Sequence, residues 1–190
     1  MDQLRFYQNN PAALGNQVEL ICLACIADMS INHGDIHIKS KIPVRFVGNL
    51  DSLLDIIPSD LPPGFFQLYV PENPRFEDID GVYVEYNHKS DTVHVIPMQV
   101  TINACHKDSE TLFYNKWAKW KSKFFKHKLT STFAWIVETE VSWGGVKETT
   151  RKTRQMTQVI TPNHMSASIP LVKVHLPLAN ELARIRKATT

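Results

Sequence analysis

The chain has 190 residues, of which 43% are hydrophobic and 21% charged, and its formal net charge is +2. That length and composition fit one globular domain, or one domain with an appendage, and exclude a disordered or fibrous chain. A core of this size needs no disulfide staples, and the longest apolar run, residues 18–27, is too short and too interrupted by Glu19 to cross a bilayer.

The opening MDQLRFYQNN lacks the charged-then-apolar order of a secretion signal, so none is expected within the chain itself. The first helix is expected over residues 16–29, where Leu14, Val18, Ile21, Cys25 and Met29 recur at helical spacing and Gly15 or Asn16 caps the start. Cys22 and Cys25 on this helix form C-x-x-C, a spacing used for zinc or redox work. No second pair or paired histidines follow, so packing within the apolar ELICLACIA stretch is favoured over a metal or redox role. Cys105 makes the count odd, which fits a reducing compartment. His33-Gly34 marks a turn, residues 44–47 a short strand and residues 50–57 a short helix stopped by Pro58. PSDLPPG, residues 58–64, is a loop, because its prolines remove backbone donors and fix φ.

Three strands follow. The first covers residues 65–70 and stops at Pro71. The second covers 81–86, with Val82, Val84 and Tyr86 alternating against Tyr83 and Glu85. A tight connection, residues 87–90, leads to the third over 92–102, where Pro97 suggests a bulge or an edge. Residues 109–126 read as the clearest helix, capped by Ser109. Phe113, Trp117, Trp120 and Phe124 form one stripe along it, and Lys116, Lys119, Lys123 and Lys126 a second. Residues 132–137 are a buried strand, 147–153 an exposed strand or loop, 172–176 a last short strand and 179–187 a closing helix. The order is helix, strand, strand, strand, helix, strand, with additions at both ends. A hairpin makes the second and third strands antiparallel and the helical crossover allows a parallel fourth, so the fold class is α/β with a mixed central sheet and flanking helices.

The small net charge hides an asymmetry. Residues 1–110 carry 7 Lys/Arg and 15 Asp/Glu, a balance of −8, and residues 111–190 carry 14 and 4, a balance of +10. Either the acidic half holds a cation and the basic half a polyanion, or the halves pair with each other.

Four residues stand out for chemistry. Glu19 is the sole acid on the first helix before its end. Asp80 leads into the second strand. Gln99 and Thr101, two apart on the third, share a face. Counting the hairpin back from Tyr86 to Asp80 and out from Val93 to Gln99 brings Asp80 and Gln99 together, so Glu19, Asp80 and Gln99 converge on one sheet edge. A turn-forming duty for Asp80, an ion pair of Glu19 with Arg45 or Lys41, and ordinary polar duties for Gln99 and Thr101 remain open beside that reading.

The order and spacing of these residues resemble the PD-(D/E)XK nuclease superfamily, whose core places a glutamate on the first helix, an aspartate at the second strand and an acid-x-lysine pair on the third. Tyr69-Val-Pro71, Phe76, Asp80, Gln99-Val-Thr101 and His106 further resemble the nuclease-type C-terminal domains of Crinkler effectors and related retrotransposon hot-spot proteins. The resemblance covers roughly residues 14–140 and implies one restriction-endonuclease-like domain over 1–190, with basic additions over 141–190. It implies a catalytic set Glu19, Asp80, Gln99 and Thr101, with Glu19, Asp80 and Gln99 holding Mg²⁺ or Mn²⁺. The cation would polarise a phosphodiester and activate water. It also implies a secreted virulence effector delivered into a host cell and often its nucleus. Gln99 and Thr101 depart from the family's acid and lysine, which puts hydrolysis in doubt and leaves a second reading open: an inactive nuclease fold that binds nucleic acid or a host protein.

The basic half supplies the expected contacts to DNA or RNA. Residues 116–128 hold six lysines, His127 and no acid, and a helix face without acids favours an acidic partner. Lys116, Lys119 and Lys123, with Arg151 and Arg154 from a second basic run, are the expected backbone contacts. The interleaved aromatics, Trp117, Trp120, Phe124 and Phe125, are expected to serve the core, with stacking on a base as the alternative for one that is exposed, and a membrane partner is not expected.

Overall fold

A computed structural model describes Leu4, Tyr7 and residues 9–72, 79–102, 109–138 and 164–189. The first helix, α1, is Pro11–Asp28 and starts earlier than its apolar pattern. Its cap is Asn10, whose side-chain oxygen accepts from Ala13 N at 3.2 Å, and Pro11 stands at the helix start, where a missing N–H costs nothing. Ala12 and Ala13 extend the helix without an apolar signal. Leu14, Val18, Cys22, Leu23 and Ile26 form its buried row, with Ile21, Cys25 and Met29 partly buried beside them, so the expected stripe is rotated by about one position. Cys22 and Cys25 are both free thiols.

Ile31–His33 (β1) and Ile36–Ile38 (β2) form a small antiparallel hairpin around Gly34, whose φ of 56° suits a residue without Cβ. Then come β3 (Val44–Val47), α2 (Leu50–Ile56), β4 (Phe66–Pro71), β5 (Gly81–Asn87) and β6 (Thr92–Thr101). The single helix expected over 109–126 is two: α3 (Ser109–Asn115) and α4 (Trp117–Lys123), with Lys116 at φ −95° and ψ 5° between them. Ser109 is the first residue inside α3 rather than its expected cap. β7 (Lys128–Val137), β8 (Met165–Pro170), α5 (Leu171–Val174) and α6 (Leu176–Thr189) complete the order. The strand expected over 172–176 is helical instead, because Leu171, Val174, Leu178 and Leu182 bury at helical spacing.

The main sheet has six strands in the order β3-β4-β5-β6-β7-β8. β4, β5 and β6 are antiparallel neighbours, while β3 runs parallel to β4, and β7 and β8 run parallel to β6 and to each other. The sheet is therefore mixed and flanked by helices, and the helix-strand-strand-strand-helix-strand order is present. Pro97 lies at neither an edge nor a bulge. It sits in β6 between two partners, and the β6–β7 offset is the same before and after it, from Val95↔Ser131 to Met98↔Ala134. The missing N–H is accommodated as a two-residue lapse in that ladder.

Two cores sandwich the sheet. One joins α1, α5, α6 and the small hairpin to Leu68, Tyr83, Ile96, Met98 and Val100. The other joins α2, α3 and α4 to Val82, Val84, Val95, Phe133 and Trp135. Among the described residues no helix is long and apolar enough to cross a membrane. The fit of α1 on the sheet depends on Gly81, where a Cβ would stand 3.0 Å from Leu23 Cδ2 and 3.4 Å from Tyr69 O. Gly81→Ala is therefore expected to cost about 1–3 kcal/mol through overpacking, read as a lower denaturation midpoint at unchanged m-value.

Candidate functional site: an acid pair at one sheet end and a basic helix leading to the other

Asp80 precedes β5 and sits half-buried where the β5–β6 ladder runs out. Its N–H donates to Met98 O at 2.9 Å. Its Oδ2 accepts from Val100 N at 2.6 Å and from Gln99 Nε2 at 2.7 Å. The carboxylate thus continues the ladder one step past the strand, meeting a β6 donor that no β5 residue reaches. Glu19, on α1, is near enough for its charge to act on Asp80. Because Met98 and Val100 pack on the α1 side, alternation puts Gln99 and Thr101 on the opposite face. Glu19 and Gln99 therefore approach Asp80 from opposite sides of the sheet end.

The two carboxyls are half-buried, and the charge of Glu19 acts on Asp80. Burial raises Glu19 above the usual carboxylate range. Burial, then the charge of Glu19, lifts Asp80 to about 8, against the lowering effect of the Val100 and Gln99 donors. The pair therefore holds a proton at neutral pH rather than two full charges. Burial raises the Cys22 thiol too, with Cys25, Asp80 and Glu19 adding to it, which leaves Cys22 unreactive as a nucleophile. The described ion pairs do not join Glu19 to Lys41 or Arg45.

This has a measurable consequence. Between about pH 4 and pH 8 the folded chain binds more protons at Asp80 than the unfolded chain, so stability falls as pH rises through that window and levels off above it. The melting temperature is expected to drop by roughly 5 °C from mildly acidic to mildly alkaline buffer. Asp80→Asn, which keeps an oxygen acceptor and removes the titration, should flatten the slope; an equally steep slope in that variant would remove Asp80 as its source.

Gln99 touches Asp80 as a donor, and Thr101 is buried, 4% exposed. Neither carries a charge. Among the described residues no group of three or more His, Cys, Asp or Glu side chains is arranged to hold a metal ion. His106, Arg151 and Arg154 lie outside the described residues.

Lys116, Lys119 and Lys123 are brought near one another but not near the acid pair. β6 and β7 run side by side from Thr92↔Lys128 to Thr101↔Val137. Asp80 and Gln99 stand at the Thr101 end. α3 and α4 return toward the Thr92 end, so the lysines lie progressively farther from Asp80. The seven steps from Thr92 to Gln99 span roughly 23 Å. Lys119 is exposed, and Lys116 and Lys123 are half-buried, while Phe113, Trp117, Trp120 and Phe124 are all buried. The aromatic stripe belongs to the core, as expected, but Phe125, expected there with the other interleaved aromatics, is exposed.

A second polar cluster carries no signal in the sequence. Glu110, in the first turn of α3, faces His164 Nε2 at 2.7 Å and accepts from Ser166 Oγ at 3.1 Å and Trp135 Nε1 at 3.3 Å. Tyr114 stacks on His164 at 3.7 Å between ring centroids. Burial would raise Glu110, but these donors and the His164 charge bring it below the usual range. Glu110 and its donors tie β8 to α3 and β7. Partners so far apart in the chain leave no local signal.

No family model, curated protein or solved structure matches this chain.

Proposed function

We propose that the domain binds nucleic acid through the α4 face, on a restriction-endonuclease-like frame whose acid centre is not organised for hydrolysis. The observation that carries this reading is the separation along β6 and β7. The phosphates held at Lys119 and Lys123 would lie toward the opposite end of the β6–β7 pair from Asp80. The Gln99 amide supports it further by bracing Asp80 as a donor, where a hydrolytic site would gain from a third negative ligand. Thr101 brings no charge to stabilise a leaving oxygen.

One observation favours a second reading, metal-dependent phosphodiester cleavage. Glu19 and Asp80 are two hard-oxygen donors that repel each other, and a divalent cation would relieve that repulsion in place of the shared proton. They are the residues that would hold Mg²⁺ or Mn²⁺, which would supply phosphate polarisation and an activated water. Gln99 would brace Asp80, and Thr101 would take no part in proton transfer.

The test is a single comparison on the wild-type chain. Labelled DNA and RNA are incubated with Mg²⁺, Mn²⁺ or EDTA, and both retention and product size are followed. Salt-sensitive binding with intact product is the expected outcome. Cation-dependent shortening of the product would replace this reading with the second.

A further inference from the structure

The basic helix ends in a turn that holds an aromatic ring out of the core. Phe124 closes the buried stripe, whereas Phe125 is 76% exposed, the most exposed large apolar side chain among the described residues. Single exposed apolar residues are ordinary on protein surfaces, but the setting of this one is not. The turn is braced on both sides. Phe124 N donates to Trp120 O at 3.0 Å, His127 N to Phe124 O at 2.9 Å and Lys128 N to Asp91 O at 3.0 Å. His127 Nδ1 lies 2.7 Å from Asp91 Oδ1, and the His127 ring meets Tyr86 edge-on at 5.1 Å. Asp91 also accepts from Tyr86 OH at 3.0 Å. Phe125 is thus displayed from a fixed backbone rather than a loose loop.

The chain on both sides of it is rich in lysines. Lys126 Nζ lies 5.8 Å from the Phe125 ring centroid. Lys121 and Lys123 occupy the last turn of α4, and exposed Lys128 opens β7. The nearby acids are already engaged: Asp91 by His127 and Tyr86, and Asp60 by Lys126 at 3.6 Å.

We propose that Phe125 is a stacking platform for an unpaired base, and that the α4 end of the domain therefore takes single-stranded nucleic acid in preference to duplex. The inference rests on the nucleic-acid reading above and adds to it the strand state of the ligand. Lysines meet phosphates on any nucleic acid and do not distinguish the two forms. An exposed aromatic face does, because bases inside a duplex are already stacked on each other, whereas an unpaired base has a face to offer. A phenyl ring beside the Lys126 ammonium, at the end of a lysine-rich helix, suits a chain that alternates apolar base faces with anionic phosphates.

The experiment measures anisotropy of labelled oligodeoxythymidine and of a duplex of equal length, across a salt series, with wild type, Phe125→Ala and Phe125→Trp. Wild type should prefer the single strand. Phe125→Ala should lose about tenfold or more in single-strand affinity, with an unchanged salt slope and unchanged duplex binding. Phe125→Trp should keep the affinity and show emission quenching beyond that of wild type on adding the oligonucleotide. If wild type binds both forms and Phe125→Ala alters neither, the stacking role is overturned and the nucleic-acid reading stands. If wild type binds neither, that reading falls and takes this inference with it. Loss of binding to anionic phospholipid vesicles instead of oligonucleotide would assign the ring to a membrane surface and overturn the inference.

Discussion

Trp120→Ala is expected to remove about 3–5 kcal/mol of stability and to lower the melting temperature by on the order of 10 °C. Trp120 is fully buried, with ring centroids 6.3 Å from both Trp117 and Phe124 and 5.7 Å from Phe113. These rings join α3 and α4 to each other and face the sheet at Val93, Val95 and Phe133. Truncation would leave a cavity walled by rigid aromatics that cannot close over it. Trp120→Phe should behave differently. No described residue accepts from the Trp120 indole N–H, so the replacement surrenders volume but no hydrogen bond, and a cost under about 1.5 kcal/mol is expected. Urea unfolding of both variants gives the comparison. Similar, large losses for both would mean that the indole nitrogen has a partner, and a small loss for alanine would mean that the stack is not a supporting wall.

The second large effect concerns binding. On the proposed function, replacing Lys116, Lys119 and Lys123 by glutamine should weaken nucleic-acid affinity by at least about tenfold at low salt. It should also flatten the dependence of log K on log salt by roughly 2–3, since each lost phosphate contact removes about 0.7–0.9 from the slope. Residues 116–128 hold six lysines and no acid, within a half of the chain that carries a balance of +10. Removing three charges elsewhere, at Lys41, Lys89 and Lys187, is the control for net charge. If both triple variants lose affinity equally, long-range attraction suffices and the α4 face is not the contact. If neither loses any, the basic-face reading is wrong.

The register that joins Asp80 to Gln99 was legible because a short hairpin fixes it. With Tyr86 set opposite Val93, counting outward delivers Asp80 to Gln99, and the structure has that register, with Asn87↔Thr92, Tyr86↔Val93 and Gly81↔Met98; a turn confined to residues 87–90 would instead have set Tyr86 opposite Asp91 and Asp80 opposite Pro97. What the pair does there was not legible. The count cannot say that Gln99 turns its amide nitrogen to the carboxylate, or that Val100 N–H shares the same oxygen. The break at Lys116 was invisible for another reason: the stripe at 113, 117, 120 and 124 keeps its spacing across it, so burial carries no trace of the kink. Val172, Val174 and Leu176 alternate with polar residues as a strand would, but the core on that face receives Leu171, Val174 and Leu178 instead, and tertiary packing overrides a weak local preference. β8, MSASIP, offers small and polar residues with little strand character, and is held by its neighbours rather than by its composition. The distance between the acid pair and the lysines needed the parallel β6–β7 pairing, which fixes the direction in which α3 and α4 return.

The main sheet's strands stand in space in the order in which they occur along the chain. During synthesis, each new strand can therefore join the edge left by the one before it, and no strand must be inserted between two already paired. The β4–β6 meander has the nearest-neighbour connections and closes the least chain, so it is the natural seed. The vulnerable interval comes later. Once β7 has docked, its outer edge, with Phe133, Trp135 and Ile136 along the strand, stays unpaired until Met165–Pro170 emerges from the ribosome. A chain stalled or cut in that interval would display an apolar strand edge to its neighbours. The last strand thus replaces the edge of β7 with one of mostly small and polar residues, while its Ile169 completes the core beneath it.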